Sequence, residues 1–334
     1  MRSLRTAAAA IAVLVITVSA CTTAAATPSP APASVAPPVA SAPPVASATP
    51  STAASVAPSP SAGAAAVASI IPVPSGQLVF AGKLVICSDI PYPPQEFFDA
   101  NANPIGSDIE IGQEIAKRLG VTPVIQNSVF DTIIAAVTAG KCDIIISAQN
   151  ITSDRIKQVD MIPYFQAGQS FVVAAGNPLG IKVQNDLCGK KIAAETGTTE
   201  VDYLQGTGGY KGQGLSAACT KAKLPVINVK PFGKDSDALL ALQAGQVDAY
   251  FADSPVAGYY TVQHPDQFAL SGLTLGVALE GISVPQSNTG LRDAVQQALV
   301  AMINDGTYLN ILKKYGDESG AVTAADAMSL NKTQ

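Results

Sequence analysis

Arg155 ends the stretch KCDIIISAQNITSDR (Lys141–Arg155), and its surroundings suggest anion binding. Thr152, Ser153 and Asp154 read as a helix start with Thr152 as N-cap. An arginine in the first turn is disfavoured by the helix dipole, by ~0.3–1 kcal/mol, so it calls for a compensating anion. Free backbone N–H groups, the short polar residues Ser147 and Asn150, and a guanidinium fork would converge there. A planar carboxylate suits that set, because arginine binds it bidentately. The alternative is an arginine paired with Asp154 or Asp160 on a solvated face. Asp253 is the second charge of interest. It ends the run VDAYFAD (Val247–Asp253) and precedes Ser254-Pro255. Arginine for a carboxylate and aspartate for an ammonium make the minimal reader of an α-amino acid. The alternative for Asp253 is a helix cap.

These charges need strands to place them. Cys142 to Ser147 is a short apolar run that reads as a strand buried on both faces, as in a parallel sheet. Ligands of open α/β sheets bind just past the carboxyl ends of such strands. An internal echo supports the pairing. FDTIIAAVTAGKCDIIISA (Phe130–Ala148) resembles SDALLALQAGQVDAYFAD (Ser236–Asp253). With Gly140 matched to Gly245, Asp143 matches Asp248 and Ala148 matches Asp253. Repeated units of this kind imply two similar α/β lobes with a cleft between them. Further strands are expected at Lys83–Ser88, Thr122–Gln126, within Leu187–Ala194 and at Pro225–Val229. Helices are expected at Asp108–Leu119, Asp131–Ala139, from Thr198 to Leu204, at Ser236–Ala244, Leu291–Asn304 and Thr307–Tyr315.

The first 76 residues are of another kind. Arg2 and Arg5 precede an apolar, alanine-rich Thr6–Val18, and Val18-Ser19-Ala20-Cys21 matches a bacterial lipobox. Residues 1–21 therefore read as a lipoprotein signal peptide with Cys21 the lipidated residue, too short in its apolar core to be a good membrane span. Residues 22–76 are Ala, Pro, Ser, Thr and Val, with PPVASA at Pro37–Ala42 and again at Pro43–Ala48. They read as a disordered, polyproline-leaning tether; roughly 55 residues at ~3.1 Å each reach ~170 Å. The remaining roughly 250 residues hold ample core for one large or two small domains.

Net charge is −5, and becomes −7 once Arg2 and Arg5 leave with the signal, which argues against a nucleic-acid partner. With Cys21 lipidated, Cys87, Cys142, Cys188 and Cys219 remain, an even number in an exported chain. Four cysteines allow three pairings. Cys188 with Cys219 is the natural local pair, which leaves Cys87 with Cys142. No CxxC is present and the single histidine, His264, is not near a cysteine, so neither a zinc site nor any other metal is expected.

Over Gly82–Tyr315 the chain resembles the polar-amino-acid solute-binding proteins of bacterial ABC importers, in their lipoprotein form. The matching stretches include GKLVICSDIPYPPQEF (Gly82–Phe97), GSDIEIGQEIAKRLG (Gly106–Gly120), ITSDRIKQVD (Ile151–Asp160), GKKIAAETGTTE (Gly189–Glu200) and GQVDAYFADSPVA (Gly245–Ala257). The resemblance implies an α/β, two-lobed, hinged fold of the periplasmic-binding-protein kind, with a ligand cleft between lobes. Lobe one would be 77–168 plus 277–334 and lobe two 169–276. It also implies a monomer that binds a free amino acid and hands it to the importer's permease. No cofactor is implied, and the lipid would be the only contact with the membrane, on its extracytoplasmic side.

By position, the resemblance gives Arg155 the ligand carboxylate, helped by Ser147, Asn150 and Thr198, and gives Asp253 the ligand ammonium. Tyr92 and Phe130 take the ring positions that sandwich the side chain, where a cation would gain ~0.5–2 kcal/mol. Asp89 takes the position that meets a polar or cationic side-chain end. Asp89, Gln95 and Glu96 near Tyr92 favour a polar or basic amino acid. The chain departs from the family at Gln95, where an aromatic is usual, at Gly106-Ser107-Asp108, and at Ala148, Gln149 and Asn150. An enzyme of the cyclohexadienyl-dehydratase type is the rival reading, because fold does not fix function. It would need an acid or base over the ligand, for which Glu195 and Glu200 are the candidates; His264 reads as a surface residue.

Overall fold

The computed structural model describes residues 70–333. The signal segment 1–21 with Cys21, and the tether up to residue 69, lie outside the described residues. The chain begins with β1 (Lys83–Ser88), the short hairpin strands β2 (Phe97–Phe98) and β3 (Pro104–Ile105), α1 (Ser107–Arg118) and β4 (Thr122–Asn127). Then come α2 (Ile133–Thr138), β5 (Ile144–Ile145), the sixteen-residue β6 (Val159–Ala174), β7 (Lys191–Glu195), α3 (Thr199–Gln205), α4 (Leu215–Lys221), β8 (Asn228–Phe232), α5 (Asp235–Gln243) and β9 (Ala249–Asp253). The chain ends with α6 (Ser254–Gln263), the eighteen-residue β10 (Phe268–Pro285), α7 (Thr289–Asp305), α8 (Thr307–Tyr315) and α9 (Ala324–Ala327).

The strands form one ribbon in the order β4-β1-β5-β10-β6-β9-β7-β8. At one end β1 pairs in parallel with β4 and β5; at the other β7 pairs in parallel with β8 and β9. Between them β6 and β10 run antiparallel along their whole length, from Val159 opposite Pro285 to Ala174 opposite Phe268. The pairing shifts register at three places, and Gly168 stands opposite Val277 near the middle. Each long strand therefore belongs to both lobes.

Apolar periodicity builds the two ends. Ile111 and Ile115 of α1 are fully buried, while Lys117 faces solvent and pairs with Glu114. With Leu84, Ile86, Ile144 and Ile146 they form the larger core, which residues of α7 and α8 complete (Leu291, Val295, Leu299, Leu312). The other lobe holds smaller clusters, one around Leu239, Tyr250 and Val256, the other around Phe171, Ile192 and Phe251. The Phe171 and Phe251 rings stack at 4.0 Å.

The repeated Ala-Gly-x-x-Asp has a physical purpose. Asp143 accepts the Val85 N–H at 2.7 Å, and its own N–H donates to the Val85 carbonyl at 2.8 Å. Asp248 does the same with Lys191, at 2.7 Å and 2.8 Å. In both lobes the aspartate thus fixes the start of its strand to the neighbouring parallel strand, β1 or β7.

Disulfides join Cys188 to Cys219 and Cys87 to Cys142, with Cα–Cα separations of 5.6 Å and 5.8 Å. Closing loops of this length typically stabilises by about 2–4 kcal/mol.

Four local expectations change. Thr152 does not begin a helix. Its hydroxyl accepts the Arg155 N–H, but only helical turns follow, because the chain must be extended again at Val159 to enter β6. The strand expected over Cys142–Ser147 is paired only at Ile144 and Ile145. The strand expected at Pro225–Val229 lies later, at Asn228–Phe232, because pairing with β7 begins at Asn228 opposite Lys191. The tether expected to run to residue 76 ends earlier. Ile71 donates its N–H to the Arg118 carbonyl at 2.9 Å, and Ile71 and Val73 pack on the larger core.

Candidate functional site

One pocket lies at the carboxyl ends of β1, β5, β7 and β9, where the two lobes meet. Asp89, Tyr92, Phe130, Ser147, Asn150 and Arg155 enter it from one lobe, Thr198 and Asp253 from the other. All eight residues singled out in the sequence are thus brought to one place. Glu96, Glu195, Thr199 and Glu200 share the lining.

Among the described residues Arg155 has no carboxylate partner. Asp154 is taken by Lys157 at 2.7 Å and Asp160 by Arg292 at 2.9 Å. The guanidinium donates instead to two backbone carbonyls, of Asn150 at 2.8 Å and of Gly197 in the other lobe at 3.0 Å. Its carbon lies 5.3 Å from the Phe130 ring centre, so that ring face supports the protein's own cation. Gly197 permits the approach. It has φ +84°, and a Cβ there would lie 2.8 Å from the Cα of Asp131.

Asp253 occupies the N-cap position of α6, yet its side chain makes no capping bond. One carboxylate oxygen accepts the Tyr92 hydroxyl at 3.0 Å, and the other is buried with no partner. Burial, with Glu200 and Glu280 nearby, holds the Asp253 carboxyl well above the usual range. A buried acid with an unfilled acceptor and no cation is arranged to receive an ammonium group.

The other polar groups divide between framework and pocket. The Ser147 hydroxyl accepts the Asp89 N–H and donates to Glu96, both at 2.8 Å. The Thr198 hydroxyl donates to the Glu195 carbonyl at 2.7 Å and caps α3. Both hydroxyls are therefore committed to the protein. The Asn150 amide donates to Thr199 at 3.3 Å and leaves its own oxygen buried and unpartnered. Asp89 accepts the Phe130 N–H at 2.6 Å and forms an ion pair with Lys234 of the other lobe. It spans the cleft. His264 is exposed, away from the pocket.

Sequence reasoning missed Lys234. It stands at the N-cap of α5, where a cation is disfavoured, and that was the available signal. It also missed Glu280. On β10, this residue shares Tyr164 with Asp108, and it receives the Gln95 amide at 2.7 Å. Burial raises the carboxyls of Glu96, Asp108 and Glu280, Asp108 to about 6, and the charge of Asp108 raises Glu96 and Glu280 further.

Residues 84–318 match the bacterial extracellular solute-binding proteins, family 3, and the chain belongs to that family. Among its relatives is the ABC transporter arginine-binding protein 1 of Escherichia coli (strain K12), 28% identical over 232 residues, covering 66% of this chain and 85% of that one. A solved structure of an ancestral arginine-binding protein bound to arginine is 36% identical, covers 70% of this chain and 98% of its own, and superimposes with a TM-score of 0.63. An ancestral amino acid-binding protein described as a precursor of cyclohexadienyl dehydratase is 31% identical over 70% of this chain and 95% of its own, with a TM-score of 0.59. Relatives of this kind are two-lobed, as this chain is.

Proposed function

We propose that this protein captures a free amino acid with a polar or basic side chain and delivers it to the permease of an ABC importer. It acts as a monomer without a cofactor. The observation that carries this reading is the pair Arg155 and Asp253. Among the described residues one has no acidic partner, and the other keeps a buried, unfilled acceptor in the same pocket. Arg155 receives the ligand carboxylate and Asp253 the α-ammonium, while Tyr92 and Phe130 flank the side chain. Ser147, Asn150 and Thr198 shape the carboxylate end, and Asp89 lies at the far end.

Lobe one is 77–168 with 277–334, together with Ile71 and Val73, which pack on its core; lobe two is 169–276, and the two long strands cross between them as a hinge. Closure about such a hinge is a standard way to trap a small ligand. Thermal-shift screening of the twenty amino acids is the direct test. The best ligand at ~100 times its Kd should add ~2.7 kcal/mol of stability. No shift with any of them would end this reading.

The protein is held outside the cytoplasmic membrane by a lipid on Cys21. Among the described residues no helix is long and apolar enough to cross a membrane. Cys21→Ala should therefore move the protein from the membrane fraction to the soluble one. Retention after a high-salt wash would rule the anchor out.

A second reading has its own observation. Glu195 and Glu200, the two acids an enzyme would need, both line the pocket. Turnover of prephenate or arogenate by the pure protein would favour a dehydratase of the cyclohexadienyl type over a carrier.

A further inference from the structure

The far end of the pocket holds more carboxyl groups than cations. Asp89, after β1, and Glu195, at the end of β7, lie against each other, and Lys234 is the ammonium beside them. Asp89 accepts from both Lys234 and the Phe130 N–H. Glu195 has no such partner. Its side chain lines the pocket, and its Oε1 is buried and unfilled. The other groups facing it are Asp235 at the start of α5, Tyr250 of β9 and Tyr260 of α6. Tyr250 donates to Asp235, and Tyr260 lies 3.4 Å from the same carboxyl. Neither tyrosine brings a positive charge. One ammonium cannot neutralise both Asp89 and Glu195 in a dry site, so the second carboxyl must hold a proton or find another cation.

We infer that Glu195 is the residue that reads side-chain charge: it holds a proton in the empty pocket, and a ligand's cationic side-chain group displaces that proton to solvent and takes its place. Burial together with Asp89 and Asp235 pushes the Glu195 carboxyl up to about 10, Lys234 opposing them, which agrees with a resident proton at neutral pH. The exchange leaves the total charge of the subsite unchanged. A neutral amide side chain meets the protonated acid and displaces nothing. The inference rests on the amino-acid reading above and assigns its side-chain selectivity to one carboxyl.

The sign with pH follows directly. Below the carboxyl's value in the empty pocket, a cationic ligand competes with a proton. Its affinity therefore rises with pH, by at most about tenfold per unit. Asp253 also changes protonation when an α-ammonium arrives, but it does so for every amino acid. The difference between L-arginine and L-glutamine isolates Glu195.

Calorimetry of the pure protein with L-arginine and L-glutamine, between pH 6 and 8 in two buffers of different ionisation enthalpy, tests this. L-Arginine should release about one proton more than L-glutamine, and its affinity should climb more steeply with pH. Glu195→Gln, shown folded by circular dichroism, should abolish the extra proton and the extra slope; Glu195→Asp should restore part of both. Equal proton release for the two ligands overturns the inference, as does an extra proton that persists in Glu195→Gln. Binding of L-glutamine but not L-arginine also overturns it and leaves the amino-acid reading standing. If no amino acid binds, both fall together.

Discussion

Arg155→Ala and Asp253→Ala should each weaken binding of the best amino acid by roughly 30- to several-thousand-fold. The estimate follows from truncating one partner of a buried charge pair, which costs about 2–5 kcal/mol. Closing the cleft removes water from the ligand's carboxylate and ammonium, and each must meet an opposite charge. The structure sharpens the choice of variants. Asp253→Asn keeps an acceptor for the Tyr92 hydroxyl, so it removes charge with little change of shape. Arg155→Lys loses the fork that reaches both the Asn150 and Gly197 carbonyls and should not rescue. Both changes act on groups common to all amino acids, so the ranking of ligands should persist. Amidated or decarboxylated analogues should fail on the unaltered protein. Calorimetry on folded variants decides: binding within threefold of the parent would make both residues structural.

The melting temperature should be higher near pH 5 than near pH 8. Asp108 titrates at about 6, and Asp235 and Asp317 at about 7, each raised chiefly by burial. An acid whose folded value lies above its unfolded one favours folding while protonated. That stability is full below the unfolded value near 4 and is lost as pH rises through the folded value. At 1.36 kcal/mol per unit, Asp235 alone withdraws on the order of 4 kcal/mol between pH 4 and 7. Asp235→Asn still accepts from Tyr250 and should flatten that part of the curve. Thermal melts across pH 4–8 in ligand-free protein are the measurement. A melting temperature that climbs from pH 5 to 8 contradicts the prediction.

Much of the architecture was legible because its signals are local. Helical periodicity located α1, α5 and α7, and Thr198 marked the start of α3. The Ala-Gly-x-x-Asp echo pointed to two lobes through a real hydrogen-bond pattern. The pocket was legible at the strand ends, where Asp253 closes β9 and Arg155 follows β5. The long crossing strands were not. β6 is buried almost throughout while the burial of β10 changes along its length, so no alternation marks either as one long strand. Glu280 was invisible for the same reason: nothing in its neighbours along the chain shows that Gln95 and Tyr164 will surround it. The committed hydroxyls of Ser147 and Thr198 were equally beyond reach, since a serine at a strand end looks the same whether it meets a ligand or a neighbouring loop.

The crossing strands also set an order of assembly. The smaller lobe is one unbroken stretch of chain between them. The larger core must wait, because it joins Leu84 to Leu312 and needs residues on both sides of the smaller lobe. Gln95 reaches Glu280 across 185 positions and Ser107 reaches Asp317 across 210. Contacts so distant along the chain are slow to form, because loop closure precedes any gain from packing. A growing or threading chain can therefore finish the inner lobe while the outer one still exposes α1 and β1. Until the last helices arrive, that apolar surface needs shielding from other chains.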